Sequence, residues 1–253
     1  MSSGRKAFII HLERAVQRRK NVETLIGALP IPSQIVPAVD GKLLSPEAVK
    51  AAYVRARHAP RYPFALGPPE IGAFLSHRAA WRRIVDEGLD CAVVFEDDAS
   101  VDRERFAELL DFLAAERARW TYVLMPAAGL EPNGAALARS GEFALITPQS
   151  PPLRAIGQVV SREAAERLLA VTAPFDRPID TFLQMNWITG VTLLAATPTP
   201  IRDVSRETGG TTVQRKRIGL LERLHHEAMR PIYRARVAAR YRRELAAAAD
   251  MKT

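Results

Sequence analysis

Three acidic residues directly follow one strongly apolar stretch of the sequence. Residues 91–95 (CAVVF) are typical of a buried central strand, and Glu96, Asp97 and Asp98 come immediately after them. Ligands of open α/β sheets collect beyond the carboxyl ends of the strands, so these carboxylates are placed for binding rather than for packing. Mg²⁺ or Mn²⁺ prefers such oxygen ligands together with substrate phosphates. We expect Asp98 to be the first metal ligand and Glu96 the second. A solvated acidic loop that caps the next helix is the alternative.

A histidine on a predicted helix is the second candidate for chemistry. Apolar residues recur at three-to-four spacing over 70–85, which predicts a helix with one buried face, and His77 lies one turn from Phe74 and Trp81. An imidazole there could donate a hydrogen bond to a phosphate or a hydroxyl, and Ser76 lies beside it. A buried histidine that bonds only to a neighbouring strand is the alternative.

An acid that follows a proline-fixed loop is the third candidate. Asp180 comes two residues after Pro178, and a carboxylate in that position could take the proton of an attacking hydroxyl. The alternative is that Asp180 caps a helix that begins at Thr181. Residue type and spacing leave both roles open.

These candidates are positioned by strands that alternate with helices. Strand patterns occur at 7–10, 34–36, 91–95, 122–125, 143–147 and 191–195. Helix patterns follow Ser45, Asp102 and Ser161, each of which can cap a first turn. The rest of 127–152 gives weak signals. The alternation predicts an α/β fold with a largely parallel central sheet.

The charge of the chain is concentrated near its C-terminus. The 253 residues are 47% hydrophobic and 25% charged, which suits one large domain, and the net charge is +8. The segment 215–243 contains ten arginines and lysines but only two acidic residues, Glu222 and Glu227. This segment therefore carries the whole net charge. We therefore divide the chain into a nearly neutral domain, 1–210, and a basic helical tail, 211–253.

The tail combines its positive charge with an apolar stripe and a proline. The stripe consists of Leu221, Met229, Tyr233, Val237, Tyr241 and Leu245. Pro231 is predicted to divide two helices. A basic amphipathic helix with aromatic residues suits an anionic membrane surface, which residues 215–245 would contact. The alternative is a helix that docks on the domain with its basic face in water.

Cysteine use and hydropathy favour a cytoplasmic location. Cys91 is the only cysteine, so the chain has no internal disulfide and a reducing compartment is expected. Residues 1–8 lack the pattern of a secretory signal, and no stretch approaches about 18 uncharged apolar residues. We expect a soluble protein, or a peripheral one on the inner face of the cytoplasmic membrane.

Taken together and in order, the motifs resemble glycosyltransferase family 25, the lipopolysaccharide-type galactosyl- and glucosyltransferases. The resemblance covers about 7–185 and rests on 9–14 (IIHLER) with Arg18 and Arg19, 38–41 (AVDG), 70–77 (EIGAFLSH) with Trp81, 94–98 (VFEDD) and 178–180 (PID). Some positions depart from the family pattern. His11 replaces an asparagine, Pro69 a glycine and Ala73 a cysteine, and the acidic motif is Glu-Asp-Asp rather than Asp-X-Asp.

The resemblance implies a GT-A-like nucleotide-sugar fold, a UDP-sugar donor, bound Mn²⁺ or Mg²⁺, and inversion at the anomeric carbon. It implies transfer of galactose or glucose to a saccharide or lipid-linked glycan during lipopolysaccharide or envelope-glycan assembly. The residues expected to hold the donor are Ile10, His11, Arg14, Arg19, Asp40, Glu96 and Asp97. Asp180 and His77 are the expected catalytic residues.

Two other functions remain open on the sequence. Acids after a parallel strand also serve other metal-dependent nucleotide-sugar or phosphoryl transferases, although neither a GxxxxGK[ST] nor a GxGxxG motif occurs. A non-catalytic adaptor that acts through the basic tail, on a membrane surface or on nucleic acid, is the other alternative. Nucleic acid is disfavoured because the body of the chain lacks interleaved basic and aromatic residues.

Overall fold

The computed structural model describes residues 5–209 and 220–250. The strands are β1 (Ala7–His11), β2 (Ser33–Pro37), β3 (Cys91–Glu96), β4 (Ala99–Val101), β5 (Tyr122–Leu124), β6 (Gly134–Ser140), β7 (Phe143–Pro148), β8 (Gly157–Ser161), β9 (Leu193–Thr197) and β10 (Ile201–Asp203). The helices are α1 (Val16–Ala28), α2 (Pro46–Ala52), α3 (Pro68–Asp86), α4 (Arg103–Ala115), α5 (Arg162–Val171), α6 (Ile179–Leu183), α7 (Asn186–Thr189) and α8 (Leu220–Asp250).

One eight-stranded sheet organises the molecule, in the order β2-β1-β3-β8-β5-β9-β7-β6. β1, β2, β3, β5, β6 and β9 run in one direction, whereas β7 and β8 run in the other. The predicted α/β class with a largely parallel central sheet is therefore confirmed. β3 is central, as expected, with β1 parallel on one side and β8 antiparallel on the other.

Two apolar layers enclose the sheet and hold β3 rigidly. Side chains alternate along this strand, so that Val94 packs in the layer of α3 while Val93 and Phe95 pack in the layer of α1 and α4. Burying a large apolar side chain stabilises a fold by about 1.5–3 kcal/mol. The end of β3, where the acidic residues begin, is therefore fixed from both faces.

The predicted strands and helix starts agree with the structure. All six predicted strands occur with boundaries within two residues of the expected ones. Ser45, Asp102 and Ser161 each accept a hydrogen bond from the backbone N–H three residues later, at 3.1–3.2 Å. The side chains of these three residues thus satisfy N–H groups that would otherwise lack partners.

Four strands of the structure were not predicted from the sequence: β4, β6, β8 and β10. β4 and β10 are three residues long and pair only with each other. β6 is a largely exposed strand rich in alanine, so it shows little of the alternation that marks a strand. The weak signals over 127–152 therefore reflect β6, a solvent-facing strand at one side of the sheet.

The C-terminal segment differs from its prediction. α8 is one helix with Pro231 inside it, so the expected division into two helices is wrong. The loss of one N–H is tolerated because the helix is held by packing: Tyr233, Val237 and Tyr241 are buried. The boundary drawn between 210 and 211 lies outside the described residues.

The apolar stripe of α8 docks on the domain. The ring of Tyr62 lies 5.3 Å from that of Tyr233, edge to face, and Arg177 donates a hydrogen bond to the Tyr233 hydroxyl. The Arg240 guanidinium lies 4.6 Å from the Trp187 ring centroid. The structure thus shows the docked helix that the sequence left as an alternative. Within the described residues, no helix is both long and apolar enough to span a bilayer.

Candidate functional site

The carboxyl ends of β1 and β3 border a cavity of about 220 Å³. Its wall combines the end of β1 and the start of α1, the loop after β2, one face of α3, and the acids at the end of β3. The lining residues are Ile10, Leu12, Arg14, Arg18, Ala38, Val39, Asp40, Gly41, Pro69, Ala73, Ser76, His77, Glu96, Asp97 and Asp98. We call this the acidic cavity.

A second cavity, of about 230 Å³, lies at the opposite edge of the sheet around Lys6, Cys91 and Trp120. Its lining is mostly apolar, and Arg117 lies 4.5 Å over the Trp120 ring. Burial raises the pKa of the Cys91 thiol, so this sulfur is a poor nucleophile near neutral pH. Most of the predicted site residues lie at the acidic cavity, which is therefore the candidate site.

Two glycines allow the loop after β2 to pack directly on α3. A Cβ atom on Gly41 would lie 1.7 Å from the Pro68 carbonyl oxygen, and one on Gly72 would lie 2.5 Å from that of Val39. The Ser76 hydroxyl accepts a hydrogen bond from the Val39 N–H at 2.8 Å. The sequence placed Ser76 near the pocket, and its hydroxyl there holds the loop that carries Asp40.

Asp97 is enclosed by partners from other elements. Its side chain accepts hydrogen bonds from Arg18 and from His11 Nδ1, the latter at 2.9 Å, and all three side chains are under 10% exposed. Asn21 donates to the backbone oxygens of Asp97 and Ala99 at 2.9 and 3.0 Å. Asp97 therefore anchors the turn after β3 to α1.

Asp98 has the opposite environment. Burial and the neighbouring charge of Glu96 raise the pKa of Asp98 to about 7, although Arg18 lies 3.2 Å away. Asp203 adds to the repulsion. It is brought there by the pairing of β10 with β4, which places Asp203 opposite Ala99. The negative charge at Asp98 is therefore incompletely compensated by the protein.

Asp203 itself remains ionised. Although its burial acts in the other direction, hydrogen bonds from Ser205 and the charge of Arg154 hold the pKa of Asp203 below its usual range. The Arg154 guanidinium forms an ion pair with this carboxylate. Asp203 thus supplies a further negative charge near Asp98, in addition to Glu96 and Asp97.

Glu96 and Asp98 fit a cation that also binds a ligand's phosphates. Among residues 5–209 and 220–250, no group of three His, Cys, Asp or Glu side chains is arranged to hold a metal ion by itself. Mg²⁺ usually keeps several waters and binds one or two carboxylates together with substrate phosphates. The incompletely compensated charge at Asp98 is the feature of this wall that a divalent cation would relieve.

His77 and Glu96 are adjacent in the cavity wall. His77 Nε2 lies 3.3 Å from Glu96 Oε1, and the imidazole is buried while the carboxylate is partly exposed. Because Glu96 is the last residue of β3, His77 does contact a neighbouring strand, as the structural alternative for this histidine expects. The position of His77 in the cavity lining agrees with the functional interpretation as well.

Arg14 and Asp40 form a second polar pair in the cavity lining. Arg14 donates two hydrogen bonds to the Asp40 carboxylate, one of them at 3.3 Å, and they lower the pKa of Asp40. Ile10 lines the same cavity. Two other residues expected at the donor lie elsewhere: His11 is buried behind Asp97, and Arg19 is exposed with an ion pair to Glu23 at 3.6 Å.

Asp180 is not part of the cavity lining. It lies in the first turn of α6, which begins at Ile179 rather than at Thr181. Its carboxylate accepts a hydrogen bond from the Thr181 N–H at 2.7 Å and one from the Arg154 N–H at 3.4 Å. Because Arg154 also pairs with Asp203, which lies near Asp98, Asp180 is linked to the acidic cavity through two intervening residues.

Some residues of the site have no clear signal in the sequence. Asp203 is the last residue of a three-residue strand, and Asn21 lies in a polar helix, so neither stands out by type or spacing. Gln158 is different because it is a single polar residue within the apolar run of β8. The structure shows that Gln158 is fully buried. In the sequence, a glutamine with apolar neighbours on both sides is a usable signal of such a buried polar residue.

Residues 5–130, which contain every residue of the cavity wall, match the sequence model of a family described as "Glycosyltransferase family 25 (LPS biosynthesis protein)". The chain belongs to glycosyltransferase family 25. The suspected family is thereby confirmed.

Curated relatives of this family-25 chain include catalytic and inactive proteins. It is 28% identical over 186 residues to a probable inactive glycosyltransferase 25 family member 3 of Bos taurus, covering 70% of this chain and 31% of the relative. It is 28% identical over 196 residues to procollagen galactosyltransferase 2 of Homo sapiens, covering 71% and 30%. The chain spans about a third of the length of these relatives.

Among solved structures, mannose-1-phosphate geranyltransferase from Thermus thermophilus superposes with a TM-score of 0.41 and 12% identity, covering 84% of this chain and 81% of that one.

Proposed function

We propose that this family-25 chain is a glycosyltransferase that transfers a hexose, galactose or glucose, from a UDP-sugar to a saccharide acceptor. The observation that carries the proposal is the pair of carboxylates on Glu96 and Asp98, which lie in a cavity at the ends of parallel strands, with the charge at Asp98 incompletely compensated. Family members with names such as procollagen galactosyltransferase 2 support the reaction class and a hexose donor.

A divalent cation, Mn²⁺ or Mg²⁺, bound by Asp98 and Glu96 would stabilise the charge of the departing diphosphate. Arg14, Asp40 and Ile10 line the same cavity and would contact the nucleotide of the donor. The anchoring of Asp97 by Arg18 keeps the turn between the two ligands in place. The protein thus contributes mainly positioning and electrostatic complementarity.

The acceptor is activated from the other side of the sugar. An acceptor hydroxyl oxygen forms the new bond to the anomeric carbon while the bond from that carbon to the diphosphate breaks, and UDP leaves. Asp180 is the proposed base that takes the hydroxyl proton. Attack opposite the leaving group inverts the anomeric carbon. Asp180 lies outside the cavity lining, beyond Arg154 and Asp203, which suits a group that contacts the acceptor rather than the nucleotide.

The proposed setting is lipopolysaccharide or envelope-glycan assembly at the cytoplasmic side of a membrane, on a saccharide or lipid-linked glycan. The description of the matching family supports this setting. Arg234, Arg236, Arg242 and Arg243 are exposed on α8, whereas its buried side chains face the domain. Attachment to anionic lipid would therefore be electrostatic rather than by insertion.

Calorimetric titration of UDP, with and without Mn²⁺, tests the proposal. We expect binding that requires Mn²⁺ and is lost in Asp98→Asn, because the metal bridge is absent. Glu108→Gln on the exposed face of α4 is the matched control and should bind like the wild type. If folded wild-type protein binds no UDP in either condition, the UDP-sugar proposal is wrong, and the adaptor or another donor nucleotide becomes the better hypothesis.

A further inference from the structure

A chain of polar side chains runs from the acidic cavity into the apolar core. It begins at Glu96 on β3, continues through His77 on α3 and Gln158 on β8, and ends at Tyr122 on β5. His77, Gln158 and Tyr122 are at most 2% exposed. The neighbours of Gln158 on its face of the sheet are apolar, so a polar amide there is costly to bury unless all of its hydrogen bonds are made.

The orientation of the Gln158 amide is fixed by a backbone carbonyl. Gln158 Nε2 lies 2.7 Å from the Ala155 carbonyl oxygen, which can only accept a hydrogen bond. Rotating the amide by half a turn would place two acceptors against each other. Gln158 Oε1 therefore faces the Tyr122 hydroxyl, which donates to it.

The fixed amide determines which nitrogen of His77 carries the proton. The second hydrogen of Gln158 Nε2 is directed at His77 Nδ1, 3.4 Å away, so Nδ1 must present its lone pair. The proton of the neutral imidazole is then on Nε2, which faces Glu96 Oε1 at 3.3 Å. Three hydrogen bonds thus transmit the direction of one backbone carbonyl to a carboxylate in the cavity wall.

We propose that Gln158 and Tyr122 are positioning residues that hold His77 in its Nε2–H tautomer, so that His77 donates to Glu96 and fixes this carboxylate as a ligand. What Glu96 then binds rests on the proposed function, but the tautomer does not. Partners that orient the groups around a metal typically change metal affinity by about 10- to 100-fold when they are replaced.

The direct test is the tautomer of His77 in metal-free, nucleotide-free protein. Long-range ¹H–¹⁵N correlation spectra of ¹⁵N-histidine-labelled protein at pH 8 distinguish the two neutral forms, and the His77 signal is assigned by its loss in His77→Gln. We expect Nε2–H in the wild type. The Nδ1–H form would overturn the proposal without any variant being needed.

Gln158→Glu tests the role of the amide. The oxygen that replaces Nε2 carries at most one proton, and the Ala155 carbonyl requires it, so His77 Nδ1 must then become a donor. We expect a proton on Nδ1 in this variant, whatever the charge of the new side chain. A folded Gln158→Glu protein with the wild-type tautomer would overturn the proposal. Gln184→Glu is the matched control, since buried Gln184 also donates to a backbone carbonyl, that of Pro151, and His77 should not respond.

Titration of Mn²⁺ and UDP into the same proteins separates this inference from the proposed function. We expect Gln158→Glu to weaken Mn²⁺-dependent UDP binding by about 10- to 100-fold and Gln184→Glu to leave it unchanged. If the tautomer behaves as expected but UDP never binds, the proposed function fails and the positioning role stands. If UDP binds to the wild type and to Gln158→Glu equally well, the positioning role fails and the proposed function stands.

Discussion

The acidic cavity and α8 both carry clusters of charged side chains, and these charges have different consequences. In the cavity, Arg18, Asp97 and Asp98 are each less than 15% exposed, so every charge must have a partner or shift its protonation. On α8, the arginines 234, 236, 242 and 243 are exposed to water, which screens them. Charge therefore determines geometry in the cavity, whereas apolar packing determines the position of α8.

The largest effect on stability should come from removing the buried guanidinium of Arg18 in the cavity wall. Arg18→Met leaves Asp97 buried without its guanidinium partner, which should lower the free energy of unfolding by about 3–5 kcal/mol in urea titrations. Arg19→Met, one residue away but exposed, should change it by less than about 0.5 kcal/mol. Equal effects of the two substitutions would show that burial does not determine how much an arginine of α1 contributes to the free energy of unfolding.

The two adjacent acids should respond in opposite directions. In metal-free protein, Asp98→Asn should raise the free energy of unfolding by about 1–3 kcal/mol, because it removes a buried charge repelled by Glu96. Asp97→Asn should lower it, since Arg18 and His11 lose their partner. Thermal unfolding with and without Mn²⁺ and UDP measures both.

Addition of Mn²⁺ and UDP should stabilise the wild type but not Asp98→Asn, so the advantage of the variant disappears. An Asp98→Asn protein that is less stable than the wild type without metal would contradict the incompletely compensated charge that we infer at this position.

On α8, the effect should depend on buried contacts rather than on charge. Tyr233→Phe removes the acceptor of a hydrogen bond from Arg177, whose side chain is fully buried, and should cost about 1–2 kcal/mol. Tyr241→Phe should be neutral or slightly stabilising, because the buried Tyr241 hydroxyl has no hydrogen-bond partner among residues 5–209 and 220–250. Urea titrations of the two variants compare them directly, and a larger loss for Tyr241→Phe would contradict the docking contacts described above.

The same contrast separates what the sequence predicted from what it did not. Local apolar runs such as 91–95 predicted the strands, and side-chain caps predicted the helix starts, because both depend on residues close in sequence. The stripe on α8 was recognised, but whether it faces lipid or the domain depends on Tyr62 and Trp187, which are distant in sequence.

In the cavity, residue type identified the acids but not their division of roles. Asp97 and Asp98 are indistinguishable in sequence, and their difference arises from Arg18, 79 residues before Asp97, and from Asp203, which reaches the site through β10. The Gln158 chain joins four separate elements. Such long-range pairings have no local pattern, so a single sequence contains no periodicity that would reveal them.

The smallest effect on stability should come from the exposed arginines. Arg242→Gln together with Arg243→Gln should change the free energy of unfolding by less than about 0.5 kcal/mol and leave UDP binding unaltered. Binding to vesicles that contain phosphatidylglycerol should weaken by about 1 kcal/mol per arginine and fall further as salt is raised. Co-sedimentation with anionic and neutral vesicles measures this. If the double variant and the wild type bind anionic vesicles equally, the proposed membrane contact of α8 is wrong, and the structure supports only the packing of Tyr233, Val237 and Tyr241 against the domain.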